Sequence, residues 1–198
     1  MAFDIAEVKR LKDLTGVGLT DAKAALDEAN GDFDKALEAM RKKGMTKAEK
    51  RGEREARQGV VGTYNHDGRI GVLVEVNCET DFVARNEIFT DLVKDVAMHI
   101  AASAPEFVSA DEIPASVREA KKAELLASDA LKGKPAEMTD KIVEGQLSKY
   151  FAERCLLDQP FIKNPDLTVG QFVKEHNARL GENIIVRRFA RIALGEVA

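Results

Sequence analysis

The feature that most constrains this chain is a strand, a tight turn and a second strand running straight into a helix, all between Gly59 and Ser103. From Arg69 to Val76, the residues Ile70, Val72, Val74 and Val76 alternate with Gly71, Leu73 and Glu75, the period-two pattern of a strand. Val60, Val61 and Tyr64 form the run before it, and Asn65-His66-Asp67-Gly68 lies between the two. The Asp-Gly pair favours a type I′ hairpin turn. Next, Phe89, Leu92, Val93, Val96, Ala97 and Ile100 fall on one stripe of a helix expected from about Asn86 to Ser103, ended by Pro105. A hairpin that leads into an amphipathic helix calls for a sheet with a helix laid on one face.

The connection from strand to helix, Asn77-Cys78-Glu79-Thr80-Asp81-Phe82-Val83-Ala84-Arg85-Asn86-Glu87, is odd for a plain turn. Turns favour Gly, Asn or Pro, yet here a carboxylate and a Phe sit side by side. In one reading Asp81 or Asn86 caps the next helix and Phe82 tucks into the core. In the other, the connection displays Asp81 and Phe82 to something else, as loops on a rigid scaffold often do.

Residues 1 to about 44 read as three short helices. Ile5, Val8 and Leu11 share one side of the first, which ends at Thr15-Gly16-Val17-Gly18. Thr20 is placed to cap a second helix with Ala22, Ala25, Leu26 and Ala29 on one face, stopped by Asn30-Gly31. Asp32 is placed to cap a third carrying Phe33, Ala36, Leu37 and Met40, and Gly44 closes the unit. The Gly-Val-Gly-Leu turn lacks the spacing, the Lys and the preceding strand of a phosphate loop. Its Leu19 either staples into the small core or forms an exposed apolar contact. Residues 45–58 are mostly charged with mixed sign and read as a tether.

Beyond Pro105, helical stretches are expected from about Ala115 to Leu131 and, after Gly133-Lys134-Pro135, through Ile142, Val143, Leu147, Tyr150 and Phe151. These two read as a hairpin. Cys155 to Phe161 leads into a loop with Pro165; Thr168 then caps a helix carrying Val169, Phe172, Val173 and Leu180, stopped by Gly181. A last strand is expected over Asn183 to Leu194, with Ile184, Val186, Ala190 and Ile192 on one face and Arg187, Phe189 and Arg191 on the other. Arg187, Arg188 and Arg191 would suit a phosphate, but a solvated strand face explains them as well. The expected architecture is α+β: residues 1–44 a three-helix module, 45–58 a charged linker, and 59–198 a core of about three antiparallel strands covered by helices.

With 198 residues, 44% hydrophobic and 32% charged, the chain suits one good core plus a small accessory unit. A net charge of −4 argues against direct nucleic-acid binding as the main role. No apolar run approaches the ~20 residues that span a bilayer, and Met1 to Glu7 lacks a secretion signal, so a cytoplasmic protein is expected. Cys78 and Cys155 form no CxxC pair, and His66, His99 and His176 are scattered. Neither a metal, a cofactor nor a catalytic centre is expected. A cysteine hydrolase built on Cys78 would need a base that the sequence does not supply.

Cys78-Glu79-Thr80-Asp81-Phe82-Val83-Ala84-Arg85-Asn86 closely resembles the signature of the elongation factor Ts family, the guanine-nucleotide exchange partners of elongation factor Tu. The stretch from Leu11 to Ala25 resembles a second family signature, and the likeness continues through Gly181-Glu182-Asn183-Ile184 to Arg188. It implies an exchange factor rather than an enzyme, binding elongation factor Tu in its GDP-bound and nucleotide-free states. It further implies that Phe82 inserts between helices of the partner, that Asp81 disturbs its Mg²⁺ environment, and that Thr80 and Val83 shape the loop. The N-terminal segment resembles a ubiquitin-associated type of module and would contact the partner through Lys12, Leu19 and Thr20. Thr20 departs from the apolar residue that some members carry there. Partner contact near His66 is a weaker implication. Longer members carry two related core units, so this chain looks like a compact form with a dimerisation-type core, and a homodimer is expected. The competing reading is an adaptor that binds another protein through its helical module, without exchange activity.

Overall fold

A computed structural model describes residues 4–15, 18–40, 42, 52, 54–128 and 135–196. The expected tether at 45–58 lies largely outside the described residues, as do Gly16, Val17 and Gly44. Helices α1 (Ile5–Thr15), α2 (Leu19–Glu28) and α3 (33–40) gather Val8, Leu11, Ala22, Ala25, Leu26, Ala36 and Met40 into a small core of their own. Four of those seven are Ala or Val, which lets the helices approach closely. Asn30 and Gly31 both take positive φ, at 52° and 84°, and turn the chain between α2 and α3. Asp32 accepts from the Lys35 N–H at 3.1 Å and so caps α3, as the sequence implies. Two expectations fail here. Ile5 is 70% exposed, so it lies off the core stripe. Thr20 does not cap α2, which begins one residue earlier with Gly18 as its N-cap and no side-chain bond.

The main sheet is antiparallel with strand order β1-β2-β5, formed by β1 (Gln58–His66), β2 (Ile70–Cys78) and β5 (Ile185–Ala193). At the hairpin Asp67 and Gly68 have φ of 50° and 69°, the positive pair that a type I′ turn demands. Arg69 N–H closes the turn on the His66 carbonyl at 2.9 Å. Val72, Val74, Val76 and Cys78 point inward and are buried, as the alternation predicts. Helix α5 (Glu87–Ser103) covers that face with Phe89, Leu92, Val93, Val96, Ala97 and Ile100. It lies so close that a Cβ added at Gly62 would sit 2.2 Å from Val93 Cγ1.

β5 departs from its expected alternation. Glu75 faces Arg188 while Val76 faces Val186, so Arg187 is an extra residue and the pairing register shifts. The bulge exchanges the two faces beyond it. Val186 points inward as expected, but Phe189 and Arg191 now turn toward the core side, while Ala190 is exposed and Ile192 is 76% exposed. The arginines form no phosphate cluster: Arg188 pairs with Glu75 at 2.7 Å, and Arg191 pairs with Glu196 at 2.6 Å. Arg191 also donates to the Ala101 carbonyl near the C-terminus of α5.

Helices α6 (Ala115–Leu126) and α7 (Ala136–Ala152) pack on each other, and the turn expected at Gly133-Lys134 lies outside the described residues. α6 ends at Leu126, short of Leu131. The stretch expected to be a loop holds a small second sheet, β3 (Pro160–Phe161) with β4 (Asn164–Thr168). Thr168 caps α8 (Val169–Leu180) in a full capping box with Gln171, and Gly181 ends it at φ 78°. His99 is fully buried: Nε2 lies 2.9 Å from Gln159 Oε1, and Nδ1 accepts the Ile162 N–H at 3.3 Å. An Nδ1 that accepts leaves Nε2 to carry the proton of a neutral ring.

Candidate functional site: the connection between β2 and α5

β2 ends with its last inward residue, Cys78, whose thiol donates to the Thr80 carbonyl at 3.1 Å. Thr80 takes extended geometry and is the N-cap of a four-residue helix, α4 (Asp81–Ala84), its hydroxyl accepting the Val83 N–H at 3.4 Å. The chain then turns once more. Asn86 caps α5 by accepting the Ile88 N–H at 2.9 Å. Two helix starts six residues apart leave little freedom for the residues between them. Ala84 is buried and Val83 packs partly on the core, so the short helix is held from below. Its outer side carries Asp81 and Phe82.

Phe82 is 83% exposed. An aromatic ring standing in water on a short, pinned helix is not a packing residue, so the core reading of Phe82 fails. Asp81 caps nothing: its carboxylate pairs with Arg85 one turn on, at 3.2 Å, and remains half exposed. Carboxylate, ring and guanidinium thus form one solvent-facing surface.

A second loop braces this one. Glu182, just after α8, accepts the backbone N–H groups of Glu79 and Thr80 on Oε2, both at 3.0 Å, and the Thr80 hydroxyl on Oε1 at 2.5 Å. Glu79 answers in the opposite direction, accepting the Asn183 N–H at 2.7 Å. The buried Asn183 amide donates to the carbonyls of Arg54 (2.7 Å) and Gly52 (3.3 Å), and Arg54 pairs with Glu79 at 3.5 Å. Sequence reasoning had no physical signal for Glu182 and Asn183, because carboxylates and amides after a helix stop read as solvated loop.

The candidate residues of the N-terminal module are far from this surface in sequence and belong to a unit with its own small core, whose α1 also meets α8. Lys12 and Thr20 are exposed, and Leu19, the first residue of α2, is 52% exposed rather than stapled into the small core. His66 stands at the hairpin tip, stacked on Tyr64 with a contact of 3.2 Å between Tyr64 Oη and His66 Nδ1. Cys78 is unsuited to nucleophilic chemistry, since burial, reinforced by the Glu182 carboxylate, pushes its thiol up to about 11. Burial also raises the Cys155 thiol. Among the described residues no helix is long and apolar enough to cross a membrane.

A model of the family "Elongation factor TS" matches residues 6–196. Elongation factor Ts of Geobacter sulfurreducens is 51% identical over 197 residues, which covers 99% of this chain and 91% of that protein. That of Acetivibrio thermocellus is 54% identical over 191 residues, 96% of this chain and 88% of its own length. That of Moorella thermoacetica is 52% identical over 193 residues, 96% and 95%.

Proposed function

This chain belongs to the elongation factor Ts family, a translation elongation factor, and on that premise we propose that it promotes GDP release from elongation factor Tu through the Thr80–Val83 surface. A G protein holds its nucleotide by backbone N–H groups around the phosphates and by a Mg²⁺ bridging phosphate and protein oxygens. Mg²⁺ tolerates only near-ideal octahedral geometry, so a small displacement of a neighbouring element weakens the site. An exchange factor needs no acid, base or nucleophile of its own. It needs a group to insert and a second surface to hold on with.

Phe82 is the inserting group. Its ring is presented to solvent on a helix too short and too well braced to fold back, and this is the observation that carries the reading. Asp81 accompanies it and, once Arg85 is drawn aside, offers a carboxylate to the partner's Mg²⁺ environment. Thr80 and Val83 hold the helix from either end. The exposed Lys12, Leu19 and Thr20 supply the second hold, on a module spanning residues 1–44 that a linker over 45–58 joins to the core of 59–198. Where translation proceeds in the cytoplasm, this protein works beside it.

The coupling is reciprocal: if this protein weakens GDP binding, GDP weakens its binding by the same factor. Speeding release ~10³-fold requires about 4 kcal/mol in favour of the transition state for release. Burying one Phe contributes roughly 1.5–3 kcal/mol. Phe82 therefore works with Asp81 and the N-terminal module rather than alone.

The assembly is a homodimer closed over the outer face of the sheet. Val61 (62% exposed), Leu73 (53%) and Ile192 (76%) lie there with Ala190, on three adjacent strands. An apolar sheet face left open to water favours a second copy that buries it.

The test is release of a fluorescent GDP analogue from elongation factor Tu at fixed Mg²⁺. Acceleration that falls in Asp81→Ala and Phe82→Ala supports both function and site. Acceleration untouched by either moves the site elsewhere. If there is no acceleration at all, the adaptor reading of the helical module takes its place.

A further inference from the structure

The loop bearing Asp81 and Phe82 is braced by a segment about a hundred residues away in sequence, and one carboxylate of that segment makes three of the bonds. Glu182 gathers the Glu79 N–H, the Thr80 N–H and the Thr80 hydroxyl, all within 3.0 Å. These three donors surround the residue that caps α4, so they fix both where that helix starts and which way it points. Hydrogen bonds to an ionised acceptor are the strong ones, and both oxygens of this carboxylate are engaged. Glu79 and Asn183 lock the same two loops together from the other side. Asn183 and Arg54 tie in the end of the segment arriving from the N-terminal helices.

We propose that Glu182 is a positioning residue for nucleotide exchange, holding the Thr80-capped helix so that Phe82 is presented in one orientation, in register with the chain leading from the N-terminal module. This rests on the reading of Phe82 as the inserting group. The carboxylate acts through Thr80, with both its oxygens engaged by donors of its own chain. Its contribution is entropic, since the ring arrives already aimed instead of being ordered at the encounter.

Two substitutions separate reach from charge. Glu182→Gln keeps the length and one acceptor oxygen but loses the charge. Glu182→Asp keeps the charge and is one methylene too short. The chain has no Trp, so Phe82→Trp places the only indole on the loop, and its time-resolved anisotropy reports the loop's mobility directly. With Glu182→Asp or Glu182→Ala, the indole is expected to gain fast depolarisation. In chains retaining Phe82, the same changes should lower the maximal rate of GDP release about ten- to a hundredfold, the order that follows a misplacement of ~1 Å. The half-saturating concentration should change little, because the N-terminal module still binds. Glu182→Gln, which keeps the reach but loses the charge and turns one acceptor oxygen into an NH₂, should fall between the unsubstituted chain and Glu182→Asp in both readouts.

Unchanged anisotropy and rate in Glu182→Asp would overturn the proposal, even if Glu182→Ala fails to fold. So would a Glu182→Gln chain more impaired than Glu182→Asp, which would make charge rather than reach the cause. Phe82→Ala is measured alongside. If it lowers exchange while the Glu182 variants do not, positioning by Glu182 is overturned and the site stands. If Phe82→Ala exchanges normally, the site itself is misplaced, and a role for Glu182 in exchange falls with it, whatever the anisotropy shows.

Discussion

The Asp81 carboxylate and the Arg85 guanidinium meet at 3.2 Å across one turn, with Arg85 82% and Asp81 51% exposed. An ion pair so open to water contributes only about 0–1 kcal/mol to stability, and an exposed ring contributes little more. Asp81→Ala and Phe82→Ala should therefore each move unfolding free energy by no more than ~1 kcal/mol. Exchange should fall by an order of magnitude or more in Phe82→Ala, on the roughly 1.5–3 kcal/mol that burying a Phe supplies, and should also fall in Asp81→Ala. Denaturant unfolding beside the nucleotide-release assay checks both. A large loss of stability with normal exchange by the folded protein would show that Phe82 serves the fold and not the exchange.

Leu73 sits at the centre of the outer sheet face, opposite Thr63 on one side and Ala190 on the other. Leu73→Glu should leave the fold intact, because the side chain points away from the core. Sedimentation velocity at micromolar concentration should show a dimer for the unsubstituted chain and a monomer for the variant. A monomer in both cases would remove the dimer proposal.

Acid should destabilise this protein through two imidazoles. Burial lowers the affinity of His99 for a proton below its ordinary value of 6.5, and burial does the same to His176, whose Nδ1 lies 2.8 Å from the Phe172 carbonyl. Both take up a proton less readily in the fold than in the unfolded chain, which binds protons near pH 6.5. Stability from these groups is therefore complete above that pH and is lost as pH falls below it, toward the depressed folded values. The melting temperature should be flat between about pH 8 and 7 and decline below about pH 6.5. His99→Gln should lower the plateau, since Gln replaces a ring bonded on both nitrogens, and flatten the acid limb. An acid limb of unchanged steepness would assign the effect to other groups.

Gly62→Ala should be among the most damaging single-methyl changes in the core. The added carbon would stand 2.2 Å from Val93 Cγ1, forcing β1 and α5 apart at about 1–3 kcal/mol. Thermal unfolding measures the loss, and Gly62→Ala combined with Val93→Ala should recover part of it.

Much of this was legible in the sequence, and what was not has particular physical causes. The β1–β2 hairpin and α5 were plain because Asp67-Gly68 allows few backbone geometries and because Val72, Val74 and Val76 alternate without interruption. β5 misled because one extra residue at Arg187 inverts the alternation, and a bulge leaves no mark on hydropathy when Phe189, Ala190 and Ile192 are all apolar. β3 and β4 were missed for their brevity and the two prolines, Pro160 and Pro165, that read as loop. Leu19 was ambiguous and Ile5 was misplaced because a three-helix unit exposes much of what it carries. At the site, Thr80, Asp81, Phe82 and Val83 stood out by composition and resemblance. The carboxylate of Glu182 did not, since its three donors lie about a hundred positions away.

The strand order β1-β2-β5 also sets a timetable. β1 and β2 are neighbours in sequence and close as a local hairpin, but the other edge of β2 waits for residues 185–193, near the end of the chain. At ~5–20 residues per second, synthesis of the intervening stretch leaves that edge unpaired for several seconds, the interval in which an open strand is most prone to pair wrongly. Glu182 emerges just ahead of β5, so the brace on the Phe82 loop forms only as the sheet is completed. A nascent chain stalled before residue 182 would carry the loop's residues but not its shape, and competence to engage a partner would wait on the completion of the sheet.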